Sequence, residues 1–207
     1  MAQMAFYFDS RVCTGCKACQ VACQQKNELP AALVWRRVLT YGGGKWVDKG
    51  SHHVPEGVFR YFVSAACNHC AAPACMAVCP VDAIAKDDQT GAVWINQDIC
   101  IGCGSCETAC PYMIPMLDER TGKEVKCDMC RDYLAQDKLP LCVVSCNQRA
   151  LDFGEQEALQ AKYPDTTDAV EPLPLPTTAP SILIRPHQDA QKSGEGTGRI
   201  LNLPYEY

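Results

Sequence analysis

The sixteen cysteines of this 207-residue chain fall into four groups of four, with none left over. They are Cys13, Cys16, Cys19 and Cys23; Cys67, Cys70, Cys75 and Cys79; Cys100, Cys103, Cys106 and Cys110; and Cys127, Cys130, Cys142 and Cys146. The first and third groups share the spacing C-x2-C-x2-C-x3-C, the run that wraps a cubane 4Fe-4S cluster. A cubane needs thiolates converging from several directions, and two-residue steps let a short loop supply them from one side. Such a loop turns backbone N–H groups toward the sulfurs and needs small residues for the close approach. Gly15, Ala18, Gly102, Gly104 and Ser105 meet that need. The fourth cysteine, beyond a three-residue step, reads as leaving on a short helix and serving a second cluster.

Groups two and four read C-x2-C-x4-C-x3-C and C-x2-C-x11-C-x3-C, the same scheme with an insertion before the third ligand. Residues 73–84 and 140–151 align in pattern, with Pro73 against Pro140, Cys75 against Cys142 and Cys79 against Cys146. The chain therefore reads as internally duplicated, a regular group followed by an interrupted one in each half. Disulfides would require an oxidising compartment, and structural zinc favours isolated C-x2-C pairs. A mixed set, with one group holding something other than a cubane, is a further alternative. Four complete quartets favour four 4Fe-4S clusters, with all sixteen cysteines as iron ligands.

The elements that must position these loops are short. Residues 5–9 read as a strand leading into the first cysteine loop, 58–64 as one leading into the second, and Val93–Ile95 as one leading into the third. Short helices are expected after each fourth cysteine position, Ala18–Lys26 being the clearest, and hairpin turns at 87–91 and 118–122. The fold class is α+β, organised by its clusters more than by a large apolar core, so removing iron should unfold it. Residues 41–57, rich in glycine, read as a surface excursion inserted as a loop. A charged helix is expected at 155–162. Residues 163–207 hold no cysteine and half of the prolines, and read as an extended tail. Within it, the apolar patch Ile182, Leu183 and Ile184 suits docking on this domain or on a partner.

Other features narrow the class of function. The net charge of −5 argues against nucleic-acid binding, and no apolar run approaches the roughly 18–20 residues of a membrane span. Residues 1–10 lack the regions of a secretory signal, so an exported form would depend on a partner's signal. No phosphate-binding glycine loop, nucleophile elbow or zinc-protease motif occurs, and there is no evident substrate pocket. His69, inside a ligand loop, is read as packing or as hydrogen-bonding to cluster sulfur; His52, His53 and His187 are read as surface residues. Arg36 and Arg37 are read as a solvated strand face. Four redox centres without an acid, base or nucleophile describe a conductor with no catalytic residues of its own.

The four groups, together with Cys67-Asn68-His69-Cys70, Cys79-Pro80, Ile101-Gly102-Cys103 and Lys126-Cys127-Asp128, resemble the four-cluster, ferredoxin-like iron-sulfur subunits of molybdopterin oxidoreductases. Phe8-Asp9-Ser10-Arg11, Cys13-Thr14-Gly15-Cys16-Lys17, Arg36-Arg37 and the late Ile182-Leu183-Ile184-Arg185-Pro186 are similar to the electron-transfer B subunits of the dimethyl sulfoxide reductase type. The resemblance implies a pairing of group one with four and of two with three. Cluster one would take Cys13, Cys16, Cys19 and Cys146, and cluster two Cys23, Cys127, Cys130 and Cys142. Cluster three would take Cys67, Cys70, Cys75 and Cys110, and cluster four Cys79, Cys100, Cys103 and Cys106. Related nitrate reductase subunits replace one group-three cysteine and hold a three-iron cluster, whereas Cys103 is present here. Cys23 and Cys146 are followed by Gln24 and Asn147 instead of the simple ferredoxin proline, which alters the turn without removing a ligand.

The organisation implied is a duplicated, bacterial-ferredoxin-like fold. It comprises a first group with its loop insertion over 1–57, groups two and three over 58–126, the fourth group pairing with the first over 127–162, and the tail over 163–207. The resemblance also implies two partners, a molybdopterin catalytic subunit and a quinol-oxidising membrane anchor. Electrons would run from quinol through the clusters to reduction of dimethyl sulfoxide or a related S- or N-oxide in anaerobic respiration. The protein would lie peripheral to the cytoplasmic membrane, exported folded with a twin-arginine-signalled partner. A relay subunit for polysulfide, arsenate, tetrathionate or formate chemistry is the alternative, and a zinc scaffold a more distant one.

Overall fold

The computed structural model describes residues 3–202, so the first two residues of the opening segment and the last five of the tail lie outside it. In chain order the elements are β1 Met4–Asp9, α1 Ala18–Lys26, β2 Arg37–Asp48, β3 His53–Ala65, α2 Ala74–Ala77, β4 Ile84–Lys86, β5 Val93–Ile95 and α3 Ser105–Ala109. They continue with β6 Met116–Asp118, β7 Lys123–Val125, α4 Arg131–Leu134, α5 Leu141–Val144, β8 Leu151–Glu155, α6 Gln156–Lys162, β9 Ile182–Arg185 and β10 Arg199–Ile200. Small sheets and short helices in mixed order make an α+β fold.

β1 is built from strand-forming residues buried on both faces. It is the centre of a three-stranded sheet, antiparallel to β8 with Phe6 opposite Phe153, and parallel to β9 with Phe8 opposite Ile184. Alternation sends Phe6 and Phe8 into the main core with Val38, Tyr61, Val63 and Leu151. Ala5 and Tyr7 face the other way, against Leu159 and Leu183. There Tyr7 stacks on Tyr163 with ring centroids 3.6 Å apart. β2 and β3 pair antiparallel from Arg37 opposite Ala65 to Asp48 opposite His53, with β10 on the outer edge of β2. β4–β5 and β6–β7 are two-stranded hairpins, and a second core of Cys75, Ile84, Val93, Ile95 and Cys106 lies beside the first of them.

Several expectations are corrected. Residues 41–57 are mostly paired strand instead of loop, because Gly42 and Gly43 give the flatness that contact with Phe59 and Gly198 requires. Gly44, at φ 86°, absorbs a register shift between Gly43 and Lys45. The helices do not follow the fourth cysteines. α2, α3 and α5 hold Cys75, Cys106 and Cys142 and end before or at the fourth ligand, one turn sufficing to join them. Pro80 and Pro111, directly after Cys79 and Cys110, bar further helix. α6 starts at Gln156 because Glu155 is still paired with Met4. Arg36 and Arg37 are buried, at 2% and 4% exposure, not solvated. Among the described residues, no helix is long and apolar enough to cross a membrane.

Candidate metal centres

Left-handed backbone turns each cysteine loop around its centre. Gly15, Lys17, Gly102 and Gly104 all have φ between 61° and 74°. At Gly15 a Cβ would sit 2.4 Å from the Phe62 ring, and at Gly102 2.0 Å from the Gly122 carbonyl oxygen, so no other residue fits either position. The interrupted groups make the same turns with His69, Met129 and Cys130.

The loops enclose cysteine-lined cavities. Cys13, Cys16, Cys19 and Cys146 line one. Cys67, Cys70, Cys75 and Cys110 line a second, and Cys79, Cys100, Cys103 and Cys106 a third. The remaining four meet where α1 packs on α5: Cys23 feels the charges of Cys142 and Cys130, Cys127 that of Cys23, and Cys130 that of Cys142. All sixteen cysteines are free of disulfides. Among the described residues, no three Cys, His, Asp or Glu side chains are arranged to hold a single metal ion.

The electrostatics fit a polynuclear cation. Burial, then neighbouring thiols, pushes Cys23 up to about 12 and Cys75 up to about 11, and burial pushes Cys13 up to about 11. Burial followed by the Glu124 carboxylate raises Cys106 to about 12. Burial disfavours the thiolate at each of these sites, so ionised thiols there need a bound cation to offset their charge. Cys103 differs: it is exposed, and the Ser105 hydroxyl 3.4 Å away lowers its pKa.

The protein surrounds these sulfurs with donors. Ala83 N–H donates to Cys79 Sγ and Ala150 N–H to Cys146 Sγ, both at 3.2 Å, the same contact in both interrupted groups. Asn27 Nδ2 donates to Cys23 Sγ at 3.7 Å, and Ser64 Oγ lies 3.5 Å from Cys19 Sγ. Arg36 donates to the same Ser64 hydroxyl at 3.2 Å and lies over the Phe6 ring. Burial opposes its charge, but Cys142, Cys19, Cys127 and Cys23 hold it protonated. Glu124 is the reverse case, 1% exposed and bordering the Cys79 cavity, with both carboxylate oxygens lacking a hydrogen-bond partner among the described residues. Burial, then Glu107, raises its pKa.

Sequence spacing found the cysteines but missed Arg36, Lys126, Glu124 and Thr178, whose approach to the cavities is set by long-range packing. His69 is buried in its ligand loop; His52 and His53 are exposed and His187 is half-buried. A further cavity of about 300 Å³, between Arg37, Tyr112 and Leu173, holds no cysteine.

Residues 58–156 match the 4Fe-4S dicluster domain family, and residues 11–27 match a 4Fe-4S binding domain. Over 202 residues the sequence is 44% identical to the B subunit of anaerobic dimethyl sulfoxide reductase from Escherichia coli K12, covering 97% of each protein. The protein belongs to the family of anaerobic dimethyl sulfoxide reductase B subunits. The Haemophilus influenzae B subunit is 41% identical over 204 residues, 98% of each. Protein NrfC of Escherichia coli K12 is 35% identical over 147 residues, 70% of this chain and 62% of NrfC. As a member of the B-subunit family, the protein carries four 4Fe-4S clusters and works in electron transfer.

Proposed function

We propose that this protein relays electrons within a membrane-associated anaerobic reductase that reduces dimethyl sulfoxide or a related S- or N-oxide. A quinol-oxidising anchor feeds it and a molybdopterin subunit consumes its electrons. The clusters, when bound, supply reversible one-electron transfer. The protein's part is to hold, space and desolvate them. Cys13, Cys16, Cys19 and Cys146 hold cluster one; Cys23, Cys127, Cys130 and Cys142 cluster two; Cys67, Cys70, Cys75 and Cys110 cluster three; and Cys79, Cys100, Cys103 and Cys106 cluster four. The observation that carries this is the set of cysteine-lined cavities, each drawing on two separate groups. Duplicated ferredoxin-like halves are supported by the matching Cys79–Ala83 and Cys146–Ala150 contacts, and by the prolines that open α2 and α5. The names of the relatives support the substrate and the complex. Folded export beside a twin-arginine-signalled catalytic partner completes the proposal.

The test is iron, sulfide and zinc analysis of anaerobically purified protein, with paramagnetic resonance after reduction. Four cubanes require about 16 iron and as much sulfide per chain. Zinc without sulfide would overturn the proposal. For the partners, pull-down from membranes of cells grown on dimethyl sulfoxide should recover a molybdenum-containing subunit and an integral membrane protein, and recovery of the relay protein by itself would contradict the complex.

A further inference from the structure

Two buried polar side chains cross between two adjoining candidate centres in opposite directions. His69 belongs to the loop that presents Cys67 and Cys70, yet its Nε2 lies 3.7 Å from Cys127 Sγ in the neighbouring set. Lys126 precedes Cys127 in that set, yet its Nζ donates to Cys67 Sγ at 3.7 Å. They are 1% and 4% exposed. Both are tied to one residue of β5: Val93 N–H donates to His69 Nδ1 at 2.9 Å, and the Val93 carbonyl accepts from Lys126 Nζ. Lys126 also donates to the Cys127 carbonyl at 3.0 Å.

The tautomer follows from this geometry. Nδ1 accepts a backbone N–H and so carries no proton, which places the ring proton on Nε2, facing Cys127. With Nδ1 occupied and Nε2 protonated, His69 has no lone pair for iron. It acts as a donor to a thiolate. Lys126 Nζ is likewise the donor in its contact with Cys67 Sγ.

A donor to cluster sulfur stabilises the reduced, more negative state and so raises the reduction potential. A buried ammonium acts in the same sense, unscreened by water. We propose that His69 and Lys126 are positioning residues forming a reciprocal cross-link between clusters two and three. Each donates from the loop of one cluster to a thiolate of the other, fixing their spacing and raising both potentials. This rests on the ligand assignment proposed above, and it adds a control over electron passage that the cysteines alone do not give.

The experiment is anaerobic redox titration of the four-cluster protein, followed by paramagnetic resonance, with iron content measured alongside. Wild-type protein without about 16 iron would defeat the ligand assignment itself. Given full iron, His69→Asn is the first variant. Its shorter amide still reaches Val93 N–H but not Cys127, and Asn tolerates the left-handed φ of 42° at this position. It should lower one midpoint, and His69→Gln, whose amide reaches the Nε2 position, should restore it. Lys126→Gln should lower a different midpoint and Lys126→Arg should recover it, while clusters one and four stay unmoved. Full iron with unchanged midpoints, or an equal shift of all four, would overturn the proposal. So would loss of iron in both His69→Asn and Lys126→Gln, which would make the pair a support of the fold only.

Discussion

Thr178 Oγ1 donates to Cys70 Sγ at 3.1 Å, joining residues 108 positions apart. Around it the backbone laces across the second cysteine loop: Ala71 N–H donates to the Ala179 carbonyl at 2.8 Å, and Ser181 N–H to the Asn68 carbonyl at 2.9 Å. The proline-rich stretch is thus part of the wall of a cysteine-lined cavity. Thr178→Val, close in shape, should keep all iron yet lower the midpoint of a single cluster and cost about 1 kcal/mol of stability. Redox titration and thermal melting check both effects; an unmoved midpoint would make the contact a matter of packing.

Glu124 points the other way energetically. A buried carboxylate without partners is destabilising, and its charge beside the Cys79 cavity opposes addition of an electron. Glu124→Gln should therefore raise the melting temperature, by the equivalent of on the order of 1 kcal/mol, and raise one cluster midpoint. A lower melting temperature would show that the carboxylate is compensated.

Cys103 is the most accessible thiol of its quartet, exposed and hydrogen-bonded to Ser105. Cys103→Ser should remove between one and about four iron while the other three clusters remain. The complex should assemble but transfer no electrons from quinol, as read by iron analysis and quinol-coupled turnover. Unchanged turnover would contradict a relay that passes every electron through this cluster.

Asp152 is one of the carboxylates that contribute to acid stability. Burial pushes its carboxyl up, but Lys162 Nζ, the Phe153 N–H and the Tyr163 hydroxyl, each at 2.8 Å, bring it below the ordinary aspartate value. A folded pKa below the unfolded one gives stability that is present above about pH 4 and lost as pH falls through the folded value. Asp152→Asn should cost about 1 kcal/mol at pH 7, less at high salt because Lys162 is exposed, and the difference should vanish in acid. Melting curves across pH test this, and a difference that persists in acid would contradict it.

What could be read from sequence follows from the range of each interaction. The cysteine spacing, β1, α1 and the hairpins at 87–91 and 118–122 are written locally, and the structure has β1, α1 and those hairpins where the spacing predicts them. The glycines at 42–44 misled because a strand rich in glycine looks like a loop until its partner, β3, is known. Arg36 and Arg37 misled for a related reason. Their burial depends on Phe6, Ser64 and the Tyr112 carbonyl, residues no local window contains. Likewise nothing near Thr178 announces that it faces a cysteine 108 positions away.

The placing of β1 bears on how the protein is made. Among the described residues β1 pairs with β8 and β9, both far later in the chain, and Cys13, Cys16 and Cys19 share their cavity with Cys146. For most of synthesis, then, the nascent polypeptide carries an unpaired central strand and an incomplete quartet of thiols, contacts of long sequence separation being the last to form. Under the ligand assignment proposed above, iron loaded during translation would meet only three of those four thiols until residue 146 has emerged, and the sheet around β1 is complete only after residue 185.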